Sequence, residues 1–240
     1  MKTAISTACF YLKEETENAL SLIKDMGAES CSVGLKTFYE YRPEFAKKYA
    51  QNLGGVGVCS IETGAQNFEP QLFSPSRRVR GDGFYWLEQV MRSGQLFGAK
   101  RYILKAPPQF PNENYGDRLQ YLSEIYNFCA GYGVGLCIEN SPLGLLDSPT
   151  KVDEIKSACP RICFSLKVKS ASGADSFCQK YLKAMAGSLA QVVVEDVDAS
   201  LIKQLKNIDF DGEIILNTQN FAQIPQLSDL IDKVKQLNNI

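Results

Sequence analysis

Eight short apolar runs recur along the chain at intervals of about 20–45 residues, each with the composition of a β-strand. They are Thr3–Ser6, Ser30–Leu35, Val56–Ile61, Arg101–Lys105, Val134–Glu139, Ile162–Val168, Ala190–Val194 and Glu213–Asn217. Many lack strict alternation of apolar and polar residues, as a parallel sheet covered on both faces requires. Stretches with helical amphipathicity lie between them: Glu14–Met26, Pro43–Gln51, Gly83–Phe97, Asn114–Tyr132, Pro149–Ala158, Asp175–Ala186, Ser200–Lys206 and Ile224–Leu237. Strand–helix alternation of this kind predicts a parallel sheet with right-handed crossovers. Eight such units in one domain close as a barrel. The expected fold class is therefore α/β, a single (β/α)8 TIM barrel over residues 1–240. An open doubly wound sheet has less support, because no Gly-x-Gly-x-x-Gly follows a strand. Gly131-x-Gly133-x-Gly135 precedes one and reads as a turn.

A chain of 240 residues fits one barrel or two small domains. No linker, charge block or low-complexity tract divides it. The net charge of −1 gives no electrostatic reason to expect nucleic acid or an anionic membrane as partner. No apolar run approaches the ~20 residues of a membrane span. The N-terminus, Met1 to Ser6, lacks the apolar stretch of a signal peptide, so a cytoplasmic location is expected. The eight cysteines lie largely in apolar runs, where cysteine behaves as a small hydrophobe, and free thiols are expected. Cys159 and Cys163 are the one close pair and have no second pair to make a zinc site. The chain has no histidine. Any chemistry must therefore use carboxylates, lysines, thiols, hydroxyls and amides, and a Ser-His-Asp or Cys-His device is excluded.

The longest irregular stretch runs from Glu62 to about Gly81 and follows strand 3, on the face where barrel active sites are built. Within it, Arg77, Arg78 and Arg80 are candidates for bidentate phosphate contacts. The alternative is a solvated loop with one arginine paired to Asp82. Phe68, Phe73 and Trp86 are candidates for an apolar wall under a sugar ring, against the plainer reading that they pack the loop onto the barrel. Asp196 and Asp198 follow strand 7 and either shape the mouth or cap the next helix.

Several strings, in order, carry a family resemblance. Asn18–Gly27 runs into Ala28–Gly34; Thr37-Phe-Tyr-Glu40-Tyr-x-Pro-Glu-Phe45 follows; then come Phe68-Glu-Pro-Gln-Leu-Phe-Ser74 and Arg77-Arg78-x-x-x-Asp82. Phe97-Gly-Ala-Lys100, Cys137-Ile-Glu139-Asn140, Ile162–Val168, Leu189–Asp196 and Gly212–Asn217 complete the series. Together they resemble the xylose isomerase-like sugar phosphate isomerase/epimerase family, over nearly the whole chain. The resemblance implies a site at the C-terminal mouth of the barrel. In that family a divalent metal held by carboxylates and histidines polarises the sugar, and paired glutamates move protons.

Against that pattern only Glu139 survives among the aligned ligands. Lys167 stands where strand 6 ends in aspartate, and Asn217 where strand 8 supplies glutamate. Gln191 and Val193 stand where strand 7 offers histidines, Glu62 and Lys105 where strands 3 and 4 often carry histidine, and Ser32 where strand 2 often carries glutamate. Glu62 and Glu139 thus face Lys105 and Lys167, a balanced set with no cation bound. Magnesium and manganese want several oxygen ligands, so no metal and no other cofactor is expected, the lysines replacing the metal's charge. Lys167 admits Schiff-base chemistry or an ion pair with Glu139, and the pair, direct or through one water, is the expectation. Lys169 is expected beyond the strand end, in solvent.

Three functional readings follow. A degenerate barrel binds a sugar or sugar phosphate, or regulates a partner, without metal-dependent turnover. Alternatively, Glu139 with Lys167 or Lys105 performs metal-independent isomerisation, epimerisation or lyase chemistry. Third, a variant ligand set supports a metal-dependent isomerase or epimerase. Glu62, Asn217, Gln191, Arg77, Arg78, Phe68 and Trp86 are the expected substrate contacts. Oligomeric state is not legible.

Overall fold

The computed structural model describes residues 1–11, 13–64, 67–108, 114–142, 144–168, 176–218 and 226–238. Its strands are β1 (Lys2–Ser6), β2 (Ser30–Leu35), β3 (Gly57–Thr63), β4 (Arg101–Leu104), β5 (Gly135–Glu139), β6 (Cys163–Lys167), β7 (Leu189–Val194) and β8 (Glu213–Leu216). They pair in chain order, all parallel, and β8 closes back on β1. The helices are α1 (Thr16–Asp25), α2 (Pro43–Tyr49), α3 (Glu69–Leu72), α4 (Arg77–Phe97), α5 (Tyr115–Gly131), α6 (Val152–Ala158), α7 (Ser176–Met185), α8 (Ala199–Asn207) and α9 (Leu227–Asn238). The expected (β/α)8 barrel is therefore the fold. Lys169, Asp175 and Ile224 lie outside the described residues.

The stretch read as an irregular loop is largely ordered into elements. Glu62 and Thr63 finish β3, α3 is a single turn, and α4 begins at Arg77, six residues before the expected start at Gly83. Gly81 and Gly83 lower intrinsic helix propensity, which hides this first turn in the sequence. Packing overrides propensity there: a Cβ on Gly83 would meet Leu72 at 3.1 Å, so glycine lets α4 lie close against α3.

One core layer fills the space between sheet and helices, with Leu20, Ile61, Leu87, Leu122, Phe164 and Val192 fully buried. A second fills the barrel lumen. Ala4, Cys59, Val193 and Ile215 form one lumen cluster; Ile103, Cys137 and Ala190 form another. Strands β3 and β7 lie on opposite sides of the barrel, so Cys59 and Val193 can share a cluster only across the lumen. The N-terminal end is closed by an ion pair that crosses from β4 to β8, Arg101 Nη1 to Glu213 Oε2 at 2.8 Å. Among the described residues no helix is long and apolar enough to cross a membrane.

Two bulges set which residues face inward. Cys31 pairs with Val58 but Ser32 pairs with Ser60, leaving Cys59 as an extra residue in β3. Phe164 pairs with Leu189 but Ser165 with Gln191, leaving Ala190 extra in β7. Cys59 and Ala190 both face the lumen. After each bulge the inward phase shifts by one residue, which brings Ser60 and Glu62, and then Gln191 and Val193, to the inside.

Candidate active site at the barrel mouth

Charged side chains collect where β3, β4, β5 and β6 run out. Leu104 is opposite Ile138, so Lys105, the next residue, is level with Glu139 at the end of β5. Its ammonium is 2.5 Å from Glu62 Oε2. Burial is the largest influence on Lys105 and works against its charge, but Glu62 and Glu139 outweigh it and hold the lysine firmly protonated. For Glu139, burial raises the carboxyl pKa; Lys105 draws it back and Glu62 pushes it up again. A buried carboxyl that takes a proton readily thus stands beside a lysine that does not give one up.

Glu69, on α3, supports Lys105 from behind. It is fully buried. Its Oε1 accepts from Tyr102 Oη at 2.7 Å and Thr63 Oγ1 at 2.9 Å, and its Oε2 accepts the Lys105 backbone N–H at 3.2 Å. Burial pushes this carboxyl up to about 7, against the pull of Tyr102 and Lys105. A glutamate read as part of a loop is therefore a fixed support for the end of β4.

The direct ion pair expected between Lys167 and Glu139 is not formed among the described residues, whose ion pair at the mouth joins Lys105 to Glu62. Register is the reason. Ser165, not Lys167, is opposite Glu139, and Lys167 lies two residues further out along β6, roughly 6–7 Å along a strand. Lys167 still acts on Glu139 through space, lowering its pKa. Its backbone is held by Asn140, whose Oδ1 accepts the Lys167 N–H at 2.6 Å and whose Nδ2 donates to the Lys167 carbonyl at 3.2 Å. Directly opposite Glu139, Ser165 Oγ donates to Glu139 Oε2 at 3.4 Å and accepts from Gln191 Nε2 at 3.0 Å. Gln191 Oε1 is buried with no hydrogen-bond partner among the described atoms. Asn217 follows β8, half-buried, and its N–H donates to the Val194 carbonyl at 2.8 Å.

A cavity of about 310 Å³ opens at this mouth, lined among others by Tyr11, Gly34, Lys36, Glu62, Asn67 and Lys105. Lys36 follows β2 directly; its Nζ donates to the Glu14 carbonyl at 2.7 Å and lies 5.4 Å from the Tyr11 ring centre. Buried Glu40 accepts the Lys36 and Thr37 backbone N–H groups and so fixes this loop. The barrel rule, which puts sites at strand C-termini, points to Lys36 as soon as β2 is seen to end at Leu35.

Other expected contacts fall elsewhere. Arg77 and Arg78 are exposed on the first turn of α4 and do not line this cavity. Arg80 bonds the Ser74 carbonyl at 2.7 Å, stacks on Tyr121 and approaches Glu124, not Asp82. Phe68 is fully buried beside Tyr41, and Trp86 packs on Phe38 with ring centres 4.5 Å apart. Phe73 lies under the Arg118 guanidinium. These aromatics fill the packing between loop and barrel. Asp198 caps α8, accepting the Leu201 N–H at 2.7 Å, and Asp196 pairs with Lys233 at 2.9 Å.

No protein-family model matches the chain, and no curated sequence does. Solved structures do. A D-tagatose 3-epimerase-like protein superposes with a TM-score of 0.78 at 15% identity, covering 100% of this chain and 98% of that one. D-psicose 3-epimerase from Clostridium cellulolyticum H10 gives 0.75 at 11% identity, with coverage of 100% and 98%. A probable 3-DHS dehydratase from Bacillus anthracis gives 0.72 at 11% identity, with coverage of 100% and 99%. The chain shares the (β/α)8 fold of these structures. Within that fold the resemblance implies a divalent metal at the mouth, but the donor set here does not fit one. Among the described residues no three His, Cys, Asp or Glu side chains group to hold a cation. The place level with Glu139 and next to Glu62 is taken by the Lys105 ammonium.

Proposed function

We propose that the mouth binds a small sugar or sugar phosphate without a metal ion, with Lys105 supplying the positive charge. The observation that carries this reading is the Lys105–Glu62 pair beside Glu139, at the rim of a cavity of about 310 Å³. A polyhydroxylated ligand in this cavity meets an acceptor at Glu62 and donors at Lys105, Lys36 and Asn67, with the buried Glu139 carboxyl next to Lys105 beneath them. The epimerases of like fold act on sugars by their names, which favours the same ligand class. A second reading is favoured by the raised pKa of Glu139: with Lys105 held charged against a ligand carbonyl, Glu139 exchanges a proton with the adjacent carbon. That reading makes the protein a metal-independent isomerase or epimerase.

The test is thermal unfolding with a panel of ketoses, aldoses and their phosphates, in the presence of a chelator. A ligand at about 100 times its Kd adds about 2.7 kcal/mol, which for a chain of this size raises Tm by about 5–10 °C. Stabilisation that survives the chelator and is lost in Glu139→Gln supports binding. Stabilisation that needs added manganese, or none across the panel, overturns it. Turnover of the stabilising sugar in chelator separates the second reading from the first.

A further inference from the structure

Beneath the mouth, on the side closed by Arg101 and Glu213, two cysteines face each other. Cys137 on β5 and Cys163 on β6 are direct partners in the parallel register. Both project into the lumen: Cys137 clusters with Ile103 and Ala190, and Cys163 packs against that cluster. Cys163 is half-buried, while the chain's other cysteines are buried. The Arg101 guanidinium, fixed by its bond to Glu213, places a positive charge on the Cys163 side and lowers that thiol's pKa. None of these groups takes part in the site above.

We propose that Cys137 and Cys163 form a reversible oxidation site, in which a hydroperoxide oxidises Cys163 and Cys137 closes the product to an intramolecular disulfide. Adjacent parallel strands are ~4.8 Å apart, within the roughly 4.4–6.8 Å between Cα atoms that a disulfide spans. The two thiols are polarised in opposite senses. Cys137, facing Cys163 across the strand pair, draws the Cys163 thiol down to about 6 despite burial, and the Arg101 charge adds to the effect. Burial holds Cys137 well above the usual thiol range, so it keeps its proton until it attacks. Reactive cysteines occupy such electropositive, partly exposed places, whereas buried ones are inert.

The chemistry balances in two steps. The Cys163 thiolate attacks one peroxide oxygen: an S–O bond forms, the O–O bond breaks, and the leaving alkoxide or hydroxide takes a proton from solvent. The Cys137 sulfur then attacks the Cys163 sulfenic acid: the S–S bond forms, the S–O bond breaks, and the departing hydroxide leaves as water with the Cys137 proton. The two electrons lost by the thiols reduce the peroxide. The bridge would tie β5 to β6 two residues below Glu139 and Ser165.

The experiment uses the full chain in its reduced form, treated with hydrogen peroxide, alkylated and mapped by mass spectrometry. The expected result is a Cys137–Cys163 disulfide, reversed by dithiothreitol. Before oxidation, Cys163 should react with iodoacetamide at neutral pH at least ~10-fold faster than any other cysteine. In Cys137→Ala the oxidised Cys163 should persist as a sulfenic acid trapped by dimedone; in Cys163→Ala, Cys137 should stay a thiol. Wild-type protein that keeps both thiols, or in which another cysteine oxidises first, overturns the proposal. So does irreversible oxidation of Cys163 with no disulfide. The wild-type map alone decides the matter if either variant fails to fold.

Discussion

At the residue scale the mouth is organised by Lys105, and its charge is needed where it stands. Removing one partner of a buried ion pair costs ~3–5 kcal/mol, and an exposed pair is worth only ~0–1. The Lys105 and Glu62 side chains are 27% and 10% exposed, between these limits. Lys105→Met should therefore destabilise the protein by about 2–3 kcal/mol in denaturant unfolding, and adding Glu62→Gln should recover part of that loss. If the two single changes add, the residues are not coupled. Glu69 gives a second prediction at this scale. Its pKa is raised from 4.5 to about 7, so the folded state binds its proton more tightly than the unfolded chain does. That contribution is fully present below about pH 4.5 and is lost as pH rises through about 7, by about 3 kcal/mol in all. Glu69→Gln should flatten the fall in stability over that window; an unchanged profile would contradict the assignment. Neither residue's setting was legible in the sequence to the same degree. Lys105, Glu139 and Glu62 end apolar runs, which places them at strand ends. Glu69 lies in a stretch with no strong periodicity, and only tertiary packing buries it under Tyr102 and Thr63.

At the element scale the strand runs were legible to within two residues at either end, because apolar runs in a sheet covered on both faces stand out from polar surroundings. Register was not. The two bulges each displace the inward phase by one residue, and nothing in the local composition around Cys59 or Ala190 announces them. The stagger between neighbouring strands is equally hidden: β5 and β6 pair without a bulge, and their register sets Ser165 opposite Glu139, two residues short of the expected partner Lys167. The start of α4 was hidden for a related reason, since Gly81 and Gly83 look like breakers until α3 is seen packed against them. Caps were partly legible: Asp198 is a good N-cap type in a suitable position, and it caps α8. Asp198→Ala should cost about 1 kcal/mol in urea unfolding and leave ligand binding unchanged. An effect on binding would instead place Asp198 in the mouth.

At the scale of the whole molecule, the repetition of strand and helix specifies the barrel, and the barrel specifies where a site belongs. What repetition leaves open is the content of that site, which rests on side chains brought together from β3, β4, β5 and α3. Here those side chains balance charge internally: Glu62 and Glu139 face Lys105, with Lys167 further out. On the proposed reading, the lysine supplies the charge that the family resemblance would assign to a divalent cation. The direct measurement is elemental analysis of the purified protein after dialysis, with Tm recorded before and after adding manganese. A mouth whose charge is supplied by Lys105 retains far less than one ion per chain and shows no rise in Tm. Retention of about one manganese, zinc or magnesium per chain, with a Tm that rises on reloading as binding to the folded state requires, would contradict it.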